Sequence, residues 1–155
     1  MPAPIVSWYS EDNTSQVTQW DIGTVDAGST SPSKTVLIWN NRGQATPVSD
    51  MTACTITTKD SAGGNTGELV TNTWIQVRVD SLAESSFTSI GGTVTKDIRA
   101  TDPTVGAGVI SGSVNGGDHN TDTKNFSQVT LRAYVPPTAT AGLVNFLTRV
   151  SYQYV

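Results

Sequence analysis

Apolar and polar residues alternate with a period of two along much of this chain, and the alternation divides it into short extended runs. Successive side chains of a strand point to opposite faces of a sheet, so such runs read as half-buried strands. They fall at Ile5 to Tyr9, Val17 to Ile22, Thr35 to Trp39, Met51 to Thr58, Trp74 to Val79, Gly108 to Val114, Ser127 to Val135 and Leu143 to Val155, with a shorter polar run at Thr93 to Ile98. The closing run is the clearest: Val144, Phe146, Val150, Tyr152 and Tyr154 share one parity, while Asn145, Arg149, Ser151 and Gln153 share the other. No longer segment carries a 3.6-residue stripe, and the best helical candidate, Leu82 to Phe87, is one turn at most. About eight or nine strands separated by Gly, Asp, Asn and Pro clusters predict an all-β fold, an antiparallel sandwich or barrel.

The pattern also sets the domain plan. Residues 1–9 read as an extended N-terminal arm or edge strand, stiffened by Pro2 and Pro4, and residues 10–155 as a single domain. Such an arm suits pairing with a neighbouring subunit, and its removal is expected to cost assembly rather than the fold. Adjacent strand residues face opposite ways, so of Trp8 and Tyr9 at least one should meet solvent or a partner. Thr35 to Trp39 is apolar on both faces, which requires a covering element or an interface. Trp20, Trp39 and Trp74 are expected in the core. Two breaks, Ser61 to Gly67 and Gly112 to Asp122, are rich in residues that accept turn conformations and read as exposed tips or interaction loops.

Composition agrees with strands. The chain has 155 residues, only 14% of them charged, with 24 Thr, 17 Val and 16 Ser. Thr and Val are stiff at χ1 and fit a pleated surface. Net charge is −4 and basic residues are scattered, which argues against a nucleic-acid groove. No apolar stretch approaches membrane-spanning length, and Met1 to Ile5 shows no secretory signal pattern, so synthesis in the cytoplasm and no membrane partner are expected.

Candidate chemistry is sparse. His119, the sole histidine, lies in the loop Gly116 to Asp122, without the rigid support a catalytic base needs. Asp118, Asn120 and Asp122 have the spacing of the first ligands of a calcium loop, but the sixth and twelfth positions are Thr123 and Val129, where that motif needs Gly and Glu. The acids lie in polar segments and at strand ends, where Asp serves turns and caps. Cys54 shares a strand face with Ile56 and reads as a buried thiol. No catalytic set, cofactor site or metal site is expected.

Trp20 to Gly28 followed by Lys34 to Gly43 resembles the opening of immunoglobulin-like modules, in which a G-x-V-x-x-G turn leads to a strand ending at an N-x-G hairpin. Val129 to Leu143 resembles their penultimate and final strands, with Val135-Pro136-Pro137 ending one and Gly142 opening the next. The resemblance implies an Ig-like antiparallel β-sandwich. In composition and architecture the chain is also similar to small capsid-decoration and tail-associated proteins of tailed bacteriophages. That similarity implies a non-enzymatic virion protein that binds and decorates or stabilises a capsid or tail lattice, with the major capsid or tail protein and copies of itself as partners. Pro4, Ile5, Trp8, Tyr9 and His119 are the partner-binding candidates. A carbohydrate-binding or adhesive module using Trp8, Trp74 or the His119 loop is the alternative.

Overall fold

The computed structural model describes residues 1–155. Eight strands form two antiparallel sheets packed as a β-sandwich: β1 (Val6–Ser10), β2 (Lys34–Asn40), β3 (Thr52–Asp60), β4 (Ile75–Val79), β5 (Thr88–Ile90), β6 (Lys96–Asp97), β7 (Phe126–Ala133) and β8 (Phe146–Gln153). The larger sheet runs β1-β2-β7-β4-β5 and the smaller β6-β3-β8. A one-turn helix, α1 (Glu68–Thr71), links β3 to β4.

Alternation sets which side chains meet. Val36 and Ile38 of β2, Val129 and Leu131 of β7 and Ile75, Val77 and Val79 of β4 point inward, onto Cys54 and Ile56 of β3. The opposite parity of β2 makes a second cluster on the outer face, where Leu37 and Trp39 are fully buried with Phe126. The two-faced strand is therefore central, between β1 and β7. Burial raises the Cys54 thiol to about 12, so it is a protonated core side chain at neutral pH.

Residues 1–9 are built into this sheet. Five residues of β1 pair with β2 from Val6 opposite Asn40 to Ser10 opposite Val36, Val6 and Trp8 pack against the main core, and Pro2 O accepts from Ser49 N at 2.9 Å. Removing them would strip most of a ladder together with core contacts, so their loss is expected to cost stability as well as any assembly they serve.

Three expected elements differ. Val17 to Ile22 forms no strand; only Gln16 bridges to Tyr9, and apolar Val17, Trp20 and Ile22 reach the core from irregular backbone. Gly108 to Val114 bridges through Ile110 to Met51, just ahead of β3, and then bends away; Gly112 packs so closely on the Val48 and Ser49 carbonyls that a Cβ there would clash. The helical turn lies at Glu68–Thr71 instead of Leu82 to Phe87, and Asp80–Leu82 is a 3₁₀ turn. Local pattern could not separate these segments because their apolar side chains are buried without ladder partners.

Candidate functional site

One end of the sandwich is held by asparagines. Asn40 Nδ2 donates to Ser49 O at 3.0 Å and Ile110 O at 3.3 Å, and its Oδ1 accepts from Ile5 N at 3.1 Å. Asn41 sits at φ 61°, and its Nδ2 lies 2.9 Å from Thr46 O and 3.0 Å from Gly112 O. Asn125 Nδ2 reaches Ser111 O and Ser113 O, and Asn115 Nδ2 reaches Asn41 O. These amides supply donors to the carbonyls of Thr46, Ser49, Ser111 and Ser113 and second donors to those of Ile110 and Gly112, which also accept from Met51 N and Val48 N.

The two glycine-rich breaks, read as exposed tips or interaction loops, are largely exposed, and their acids bond to nearby backbone amides. The Asp60 carboxylate accepts from the Thr66 hydroxyl at 2.6 Å and from the amides of Gly64, Thr66 and Ala62, which holds it well below the usual carboxylate range. Asp122 Oδ2 accepts from the amides of Gly116 and Asp118, while Asp118 Oδ1 takes Asn120 N. The acids with calcium-loop spacing are thus turned onto their own backbone. Bonds from the Ser10 and Thr14 hydroxyls draw Asp12 down to about 2, and the Thr104 hydroxyl lowers Asp102. Nowhere do three His, Cys, Asp or Glu side chains converge as a metal-binding group.

The opposite situation holds along one flank. The smaller sheet is two strands narrower, and the gap between β8 and the β1–β2 side of the larger sheet is bordered by two irregular lips, residues 17–27 and residues 139–145, the second running into β8 at Phe146. The lips touch where Trp20 meets Phe146 edge-on, ring centroids 6.0 Å apart. On one side of this contact lies a hollow of about 600 Å³ lined by Trp8, Val17, Trp20, Lys34, Val36, Leu131 and Phe146. On the other lies one of about 670 Å³ bordered by Ile22, Val25, Leu69, Trp74, Val135 and Leu143. Leu143, Val144 and Leu147 are exposed beside them. The second lip is pinned at one point: Glu68 accepts from the Thr140 hydroxyl at 2.5 Å and from its amide at 2.9 Å, which lowers the Glu68 pKa.

β8 also has a free main-chain edge. The carbonyls of Cys54 and Thr58 in β3 accept from Ile98 N and Gly92 N, away from β8, so the odd-numbered residues Thr55, Thr57 and Lys59 face it. Their partners are Ser151, Arg149 and Leu147. The N–H and C=O groups of Thr148, Val150 and Tyr152 therefore point outward, and β8 pairs with β3 alone. β1 differs: Val17 N donates to Trp8 O and Ser10 N to Ser15 O, covering its outer side.

The residues singled out from sequence are divided by this geometry. Trp8 lines the first hollow. Tyr9 faces the other side, under the Arg42 guanidinium at 3.8 Å. Ile5 is half exposed and Pro4 partly buried at the asparagine end. His119 is partly buried in its loop, which joins the Tyr9 side through Asn13 Nδ2 donating to Gly117 O at 2.7 Å. Trp74, named for an exposed sugar platform, is 6% exposed and belongs to the core. Lys34, Phe146 and the two lips were missed, although the closing alternation that carries Phe146 was visible. Neither a protein-family model nor a curated protein matches the sequence.

Proposed function

We propose that this chain is a non-enzymatic structural protein of a virion, which binds a capsid or tail lattice through protein–protein contacts and associates there with the major capsid or tail protein and with copies of itself. The observation that carries the reading is the flank: an apolar opening bounded by Trp8, Trp20, Phe146 and Leu147 beside an unpaired strand. Large exposed apolar surface marks an interaction site, and the acids and loops that could have served chemistry are bonded to their own backbone. The virion setting rests on the resemblance to phage decoration and tail-associated proteins, which are likewise acidic, Thr-rich and poor in cysteine.

Particles assembled from the genome that encodes this chain should contain it at a fixed copy number, read by quantitative mass spectrometry and located by immunogold electron microscopy. Purified particles without it would overturn the reading. A second reading, a glycan-binding module, is favoured by Trp8 and Trp20 beside Gln19 and Asn145 in one open hollow, since sugars stack on aromatic faces beside amide groups. Quenching of tryptophan fluorescence by a glycan panel tests it.

A further inference from the structure

The flank has the form of a strand position left open. β8 is the longest sheet edge in the molecule, against five residues in β1, three in β5 and two in β6. Proteins ordinarily guard such an edge with a proline, a bulge or a covering loop. The sequence Phe146–Gln153 has no proline, and the register shift of this pair lies at Thr52/Thr55, away from most of the ladder. One strand added beside β8 would bond to the free groups of Thr148, Val150 and Tyr152. Its inward side chains would enter the hollow over Val36 and Trp8.

Charge narrows the occupant. Of the nine Lys and Arg residues, only Lys34, Lys124 and Arg149 make no side-chain hydrogen bond or ion pair, and Lys124 lies in the field of Asp102. The other two border the open position: Lys34 lines the hollow, and Arg149 stands on the outward face of β8. β8 itself contains no acid, so pairing it antiparallel with the β8 of a second copy would bring two Arg149 side chains near one another on one face, a destabilising arrangement. A strand with a carboxylate opposite Arg149 meets the charge instead.

We infer that β8 receives an extended segment of a different protein as an added strand, with apolar side chains on its inward face and a carboxylate opposite Arg149. The inference rests on the proposed lattice-binding role and names the mode of contact. Main-chain bonds would set the segment's register and the hollow its inward side chains.

The test uses a display library of random eight-residue peptides selected on the full chain. Selected sequences should alternate apolar and polar residues with an acid among the outward positions. Binding should protect the amides of Thr148, Val150 and Tyr152 from hydrogen exchange. Thr148→Pro removes only an edge N–H, so it should abolish binding while melting shows the fold retained. Arg149→Glu, on the exposed face, should weaken binding about tenfold, roughly 1.4 kcal/mol. Peptides without alternation, or binding that survives Thr148→Pro in the folded variant, overturn the inference. So does light scattering that shows a dimer abolished by the same proline, since the occupant is then a second copy. Exchange on assembled particles separates the two claims: a bound chain with unprotected β8 amides removes this mode and keeps the lattice role, whereas particles lacking the chain remove the role.

Discussion

The asparagine end and the β8 flank are built on opposite terms. At the end there is little regular structure, yet the buried polar groups of Asn40 and Asn125 are met and the loops from Thr46 to Ser49 and Ile110 to Ser113 are tied together. At the flank there is an eight-residue strand, yet its outer main-chain groups and the apolar hollow next to it have no partner. Order thus follows from satisfied donors and acceptors rather than from ladder geometry, and a regular strand can be the less finished part of a fold. The difference also separates expectations: the closed end ties loops together, and the open flank is where the proposed partner would dock.

The change that strikes both regions should have the largest effect. Removing residues 1–9 takes Trp8 from the hollow, the Ile5 amide from Asn40 and all but the Ser10 pair of the β1 ladder from β2. The truncated chain should lose its cooperative thermal transition and near-ultraviolet circular dichroism. A sharp melt within a few degrees of the intact chain would show that β1 is dispensable and that the two regions are independent of it.

Next come substitutions confined to one region. Asn41→Ala forces a side-chain-bearing residue other than Asn into φ 61° and takes the amide donor from Thr46 O, while Gly112 O keeps Val48 N at 2.9 Å, a loss of about 2 kcal/mol. Asn41→Gly relieves the backbone and should recover about 1 kcal/mol of this. Trp20→Ala removes far more volume, but from a half-buried ring at the edge of an open hollow, so about 1–2 kcal/mol is expected. Urea titration of the three variants ranks them. If Trp20→Ala costs more than Asn41→Ala, the apolar flank and not the asparagine end dominates stability.

What could be read from the sequence divides along the same line. Alternation located β1, β2, β3, β4, β7 and β8, because those strands have one face in the core and the period records it. It also identified Cys54 as buried. The asparagine end was not legible, since Asn reads as a turn residue until the three-dimensional neighbours of its amide are known: Asn41 and Gly112 are 71 residues apart in the chain. The flank was hidden for the converse reason. Val17 to Ile22 has strand composition but no ladder, and an open edge is a property of what fails to pair, which no local pattern encodes. The opposite facing of Trp8 and Tyr9 was legible from the strand period, but not what covers each: Trp8 lines the hollow, and Arg42 covers Tyr9 from a distant turn.

Acid should produce the smallest effect and should act on the loops before either region. The folded pKa values of Asp12, Asp60, Glu68 and Asp102 are all lowered by hydroxyl and amide donors. Their unfolded values lie near about 4, so the unfolded chain binds protons first and these bonds favour the folded state fully only above that pH. Stability should be flat from neutral pH to about 5, and then fall as pH drops from about 4 toward 2. Because these carboxylates are exposed, the decline should be a gentle drift in melting temperature rather than a collapse. Glu68 supplies the link to the flank: protonating it loosens the Thr140 tether of the second lip, so amide protection factors near Thr140, exchange being corrected for its intrinsic slowing in acid, should fall at low pH while those of Asn40 and Asn41 hold. Glu68→Gln should lower protection near Thr140 at neutral pH and leave it unchanged in acid. Equal acid sensitivity at the asparagine end would mean that the two regions open together, and that the flank has no looseness of its own.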